Sequence, residues 1–274
     1  MENTTLVKQL WKEFFSKLGI SVLLFAGFFL LLYLIEYFIP SLKGQFLQWY
    51  TPSGINWAFI VGIPASVIGV AYVLTVKNPQ NYVGFYPGIL MSLLLAVQFY
   101  LQTNYDLTVL YVAVFVPFQI MSLLNWRKAT LNPSDGKDEA FAPEFLNIHG
   151  FTRTFLLSLL IMAIDYVIAT KVMSRFSAPE IAEIQAAWDG NIIIKLASGL
   201  LIASSFFANY WMIYKKNDAW LCWVLYSIAG IILYIIINNL FSLILFVVFL
   251  VVNINVQFAW MRATPSGSRA ARPT

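Results

Sequence analysis

The 274-residue chain holds one cysteine, Cys222, and one histidine, His149. No internal disulfide can form, and no Cys/His cluster can hold a structural metal. His149 stands just before a helix and reads as a surface residue. Charge is scarce as well. Seventeen Lys and Arg and thirteen Asp and Glu make 11% of the chain, where soluble domains carry about 25%. The formal excess of +4 is small and scattered, so a nucleic-acid surface is excluded. There is no P-loop, no Rossmann glycine pattern and no nucleophile–base pair. That argues against an ATPase and against a membrane enzyme, and no cofactor is expected.

What stands in place of charge is apolar: 60% of residues are hydrophobic and 17% are aromatic. The expected fold is an all-α polytopic membrane protein with eight membrane helices at 19–38, 55–76, 84–102, 107–126, 152–171, 191–214, 219–238 and 240–260. At 1.5 Å rise each is long enough for a hydrocarbon core of about 30 Å. Ahead of the first helix, "TTLVKQLWKEFFSKLG" places Leu6, Leu10, Phe14 and Leu18 on one face. Residues 1–18 are therefore expected to lie at the membrane surface. No small-residue cleavage site follows a short apolar core, so the segment does not read as a signal peptide. The tail, residues 261–274, is low in apolar content and expected to be disordered.

Lys and Arg placement sets orientation. With the N-terminus in the cytoplasm, only Lys43, Lys171, Arg175 and Lys195 of the seventeen basic residues fall outside. The other thirteen fall inside, in loops short enough for the positive-inside rule. Both termini are expected to be cytoplasmic.

An internal repeat shows at a shift of 134. Tyr100 falls on Tyr234, Asn104 on Asn238, Gln119 on Asn253, Trp126 on Trp260 and Lys128 on Arg262, without a gap. Matches among Val, Phe and Ile prove little in apolar helices, but this polar and aromatic spacing is harder to reach by chance. Two parallel three-helix repeats, 55–126 and 191–260, are expected. Residues 127–190 form a linker region with one membrane helix, and residues 19–54 an extra N-terminal helix and loop. Parallel repeats are a known transporter plan, with the substrate between the halves near mid-membrane.

The helix at 219–238 carries one stripe. At 100° per residue Trp220, Trp223, Tyr226, Ser227, Gly230, Tyr234 and Asn238 share an arc of about 120°. Polar groups in hydrocarbon need partners or water, so the stripe is expected to face the interior. Asn209 shares a face with Ser198 and Ser205, and Gln257 shares one with Asn253 and Trp260. Gln98 shares a face with Gln102, and Gln119 with Trp126. Each amide can serve as helix–helix glue or as ligand contact. Trp220 and Trp260 lie near helix ends, where an interfacial aromatic belt competes with a ligand role. Trp223 and Tyr234 lie deeper, beyond that belt. Asn238 can also cap the short turn after its helix. Asp165 is a carboxylate inside a span, a functional candidate that can equally pair with a neighbouring group. Aromatic rings with neutral amides suit a planar, hydrogen-bonding and even cationic solute.

"KKNDAWLCWVLY" (215–226), a basic turn leading into W-x-x-W, resembles the PnuC family of vitamin transporters. So do "NYVGF" (81–85) and "PFQIMSLLNW" (117–126). The resemblance covers about residues 55–260. It implies a SWEET-like fold, a homotrimer in the bacterial inner membrane, and facilitated diffusion of nicotinamide riboside into the cytoplasm. Trapping then comes from downstream phosphorylation. Relatives carry thiamine or other nucleoside-like vitamins, and proton coupling is the alternative mechanism. A non-transport membrane enzyme or assembly subunit is the more distant reading. Family members often carry Asn four residues after the second Trp of the motif, where this chain has Ser227. The substrate-binding set expected on these grounds is Trp223, Tyr226, Ser227, Tyr234, Asn209, Gln98, Gln119, Asn238, Asn253 and Gln257, with a possible charge role for Asp165. The expected partners are the small molecule, the bilayer and other copies of the chain.

Overall fold

The computed structural model describes residues 2–44, 46–47, 49–51, 54–102, 105–131, 143–167, 191–236 and 240–263. Among them, eight helices are long and apolar enough to cross a membrane. They are α1 (Glu2–Phe38), α2 (Trp57–Val76), α3 (Phe85–Leu101), a span made of α4 (Tyr105–Leu110) and α5 (Val116–Leu131), α6 (Ile148–Val167), α7 (Ile192–Ile213), α8 (Asp218–Ile236) and α9 (Leu240–Ala263). A two-residue antiparallel ladder, β1 (Tyr50–Thr51) with β2 (Gly54–Ile55), precedes α2.

Local chemistry sets several starts. Asn56 Oδ1 accepts from the Phe59 N–H at 3.1 Å and caps α2. Asn191 Oδ1 accepts from Ile193 N–H at 2.9 Å and opens α7. Each cap satisfies an N–H that the first turn leaves without a helical partner. Asn81 Oδ1 does the same for Val83 in the 3₁₀ turn before α3.

The structure departs from the sequence-based expectation in two places. Residues 2–18 do not lie apart from the first span: α1 is one helix of 37 residues, about 55 Å long at 1.5 Å per residue. Its amphipathic face is occupied by protein. Leu10 and Phe14 are buried in the same apolar cluster as Tyr82 and Val83. Glu13 accepts from Asn78 and Asn81 at 3.1 and 3.0 Å, which ties α1 to the α2–α3 turn. The second departure is a π-helical turn, Tyr111–Phe115, between α4 and α5 in what the sequence reads as one plain helix. The expected 168–171 end of the fifth span, Asn238 and the tail after 263 lie outside the described residues.

The packing order is the same in both halves. In the first, α2 packs on α3 and α3 on α5; in the second, α7 packs on α8 and α8 on α9. The halves meet reciprocally, α5 against α7 and α9 against α2. Each half also has an outrigger: α1 packs on α2, and α6 on α7. Thr154 is the one buried residue of α6, most of whose other residues are exposed.

Glycines mark the closest helix approaches. A Cβ on Gly62 would meet the Gln98 amide, and one on Gly69 would meet Met91 of α3. A Cβ on Gly230 of α8 would overlap the ring of Phe246 on α9. Gly27 has nothing within 4 Å. Gly230→Ala is therefore expected to cost about 1–3 kcal/mol through overpacking. It should lower the thermal midpoint in detergent by several degrees, while Gly27→Ala leaves it unchanged. Equal midpoints for the two variants would show that α8 and α9 are less tightly packed than described.

Candidate functional site

One end of the bundle carries the α2–α3 and α7–α8 turns and most of the described basic residues; it is called the basic end below. Three indoles close it. Trp126 and Trp260 have ring centroids 5.7 Å apart, and Trp220 lies 5.5 Å from Trp260. All three are at most 1% exposed. Trp126 of α5 donates its N–H to the Met212 carbonyl at the end of α7, at 3.0 Å. Trp260 of α9 donates to the Val76 carbonyl at the end of α2, at 3.2 Å. Each half thus satisfies a helix-end carbonyl of the other, and two buried indole donors are paired in the process.

Lys215 adds a third bond between the halves. Its φ of 52° puts it in the left-handed region. Its ammonium donates to the Pro79 carbonyl at 2.7 Å and lies 4.4 Å from the Trp126 ring centroid. Burial pushes its pKa down to about 6, whereas the carbonyl and the indole face favour the charged form. The neighbouring turn is tied down from the loop at 143–147. Asp218 accepts from the Leu146 N–H at 2.7 Å, and Lys216 pairs with Glu144 at 2.6 Å.

Above this layer lies a polar group. The Trp223 carbonyl accepts from the Ser227 hydroxyl at 2.9 Å and from the Asn253 amide at 3.3 Å. Asn253 Nδ2 also donates to Ser227 Oγ at 3.0 Å. Asn253 Oδ1 is buried and has no hydrogen-bond partner. Trp223 meets Tyr226 edge to face at 5.3 Å. It packs against the apolar cluster of the basic end on one side and against Tyr111 and Phe115 on the other. The Tyr226 and Tyr111 hydroxyls meet at 3.4 Å. In the first half, Gln119 Nε2 donates to Ser92 Oγ at 3.1 Å, and Gln119 Oε1 is buried without a partner. Gln119 stands seven residues before Trp126, and Asn253 seven before Trp260. Each amide therefore lies about 10 Å along its helix from its indole.

Four of the expected residues, Trp223, Tyr226, Ser227 and Asn253, come together here. Tyr234 continues the stripe, its ring 5.2 Å from Phe246, which also meets Tyr226. Gln98 lies over Gly62, on the face between α2 and α3. Asn209 donates within its own helix, to the Ser205 carbonyl at 3.0 Å. Gln257 is drawn to the basic end, where it donates to Asn217 Oδ1 at 2.9 Å. Asp165 is half-buried near the end of α6 and makes an interaction there. The sequence reading missed Tyr72, Tyr111 and Lys215. The two phenols sit inside apolar spans, the same signal that selected Tyr226 and Tyr234. Nothing local marks Lys215 as buried.

The Lys215 ammonium makes stability depend on pH. Its folded pKa, about 6, lies below the ordinary value of 10.5. Between the two the unfolded chain binds more protons, so stability rises with pH from about 6 upward, by at most about 1.4 kcal/mol per pH unit. Thermal midpoints in detergent should therefore increase from pH 6 to pH 8, and Lys215→Met should flatten the rise. A variant with the unchanged slope would assign the pH dependence to another group.

No characterised protein matches the chain at the sequence level. The crystal structure of the vitamin B3 transporter PnuC is similar in fold, with a TM-score of 0.53 over 91% of this chain and 89% of that one, at 17% identity. The sequence model of the nicotinamide mononucleotide transporter family matches residues 57–262, from the start of α2 to the last turn of α9. The chain belongs to that family of membrane transporters and is not an enzyme.

Proposed function

We propose that the protein carries nicotinamide riboside into the cytoplasm by facilitated diffusion, the two halves rocking about a shared central site. The observation that carries this reading is the Trp223–Ser227–Asn253 group. It sets an indole and a phenol close to a buried amide oxygen that has no hydrogen-bond donor. A cationic pyridinium ring suits the aromatic faces, and a carboxamide N–H suits the free Asn253 oxygen. The family's name points to the mononucleotide, but the interior favours the riboside. A phosphate dianion held between the halves would need a counter-charge. Among the described residues, Lys215 is buried, yet it lies at the basic end on the Pro79 carbonyl. Lys195 sits in the first turn of α7, over Tyr166.

The repeated packing order and the reciprocal indole bonds support two parallel three-helix units, at 55–126 and 191–260. The basic end is the cytoplasmic one, and both termini are cytoplasmic, in line with the positive-inside rule. The membrane is the bacterial inner membrane, the assembly is a homotrimer, and phosphorylation in the cytoplasm retains the product. Thiamine is the second candidate substrate, because it too presents a flat cationic ring.

In purified protein, nicotinamide riboside should bind and raise the thermal midpoint, and nicotinamide mononucleotide should not compete with it. Trp223→Ala should weaken binding at least tenfold. Thiamine binding without riboside binding would overturn the substrate. In proteoliposomes, uptake should be indifferent to a proton uncoupler and to Asp165→Asn. Uptake lost under both would replace facilitated diffusion by proton coupling.

A further inference from the structure

Tyr72 is 2% exposed where α2 meets α3, and its hydroxyl has no hydrogen-bond partner. A buried phenol normally finds one. Beside it stands a second such atom, Gln119 Oε1. The two side chains close over the same glycine. A Cβ on Gly88 would lie 2.8 Å from Gln119 Oε1 and 3.0 Å from the Tyr72 ring. The other end of the Gln119 amide is fixed by its donation to Ser92. In this orientation the amide turns its oxygen toward Gly88.

The group borders the Asn253 site. Phe249, Asn253 and Val256 share one face of α9 at spacings of four and three. Phe249 reaches the α2–α3 contact at Gly69, and Val256 lies in the same apolar cluster as Tyr72. Asn253 thus shares a face of α9 with Phe249, which reaches the α2–α3 contact, and with Val256 of the Tyr72 cluster.

We infer that Tyr72 and Gln119 form a second half-site, contributed by the first unit, that recognises a sugar hydroxyl of the transported solute. This rests on the riboside reading above. The chemistry is that of a matched pair. The phenol can donate to the sugar oxygen while the sugar O–H donates to Gln119 Oε1. A hydroxyl satisfies both orphaned atoms at once. A bare ring satisfies neither, and a methylene in its place leaves both buried and unpaired, which is how such sites reject deoxy analogues. The ring side of the solute then belongs to Trp223, Tyr226 and Asn253 of the second unit, so each unit reads one half of the molecule.

The test compares wild type with Tyr72→Phe, which keeps the ring and its packing. Affinities are measured by calorimetry in detergent for nicotinamide riboside and for its 2′- and 3′-deoxy analogues. Wild type should bind the riboside at least tenfold more tightly than one of the analogues. Tyr72→Phe should weaken the riboside about tenfold, leave that analogue unchanged and so erase the discrimination. Gln119→Leu should have the same selective effect. A Tyr72→Phe protein that binds the riboside like wild type, or that weakens riboside and both analogues equally, would overturn the inference while leaving the riboside reading intact. Absence of riboside binding by wild type would overturn both.

Discussion

Two indole N–H bonds, crossed between the halves, hold the basic end together. Trp126 reaches from α5 to the end of α7, and Trp260 from α9 to the end of α2. Opening either bond alone leaves a buried indole donor unsatisfied, although the Met212 carbonyl keeps the Lys215 N–H, and a membrane interior offers no ready replacement. Lys215 adds an Nζ donor that sits on the α2–α3 turn. Opening this end therefore has to admit water to several groups together. Coupling of this kind favours discrete arrangements over a continuous range.

The other contacts follow from this closure. Because the basic end is shut by rings, the polar group of Ser227, Asn253 and Trp223 lies about two helical turns inside it. Gln119 has the corresponding place in the first half. Each half offers one buried amide whose nitrogen is bonded to a serine and whose oxygen is not. Two acceptors left open in an apolar interior are costly unless something with donors comes to them, and the proposed solute has such donors.

The span count and the stripe on α8 were legible in the sequence, because helical periodicity and long apolar runs are local. The continuous α1 was not. An amphipathic segment has the same pattern whether lipid or protein covers it, and only the fold shows Leu10 and Phe14 against Tyr82 and Val83. The burial of Lys215 was hidden for a similar reason: "KK" in a turn reads as solvated, and its covering ring comes from Trp126, some ninety positions earlier. The amides split unevenly. Wheel position put Asn209 and Gln257 on inward faces, but it could not show that Asn209 donates to its own helix or that Gln257 is held by Asn217. The outrigger status of α1 and α6 also depends on which helix each one touches, and no periodicity carries that.

The π-helical turn at Tyr111–Phe115 has a consequence for aim. A π turn holds one residue more than an α turn over nearly the same length. That surplus residue rotates everything on its far side by about 100° relative to an unbroken helix. Tyr111 points at Tyr226, and Gln119 at Ser92, from one chain segment that a regular helix would have aligned differently. The span thus behaves as two sections of a screw joined with an offset thread. Deleting a single residue anywhere in that turn would leave its length and greasiness almost intact and turn one of the two sections out of alignment.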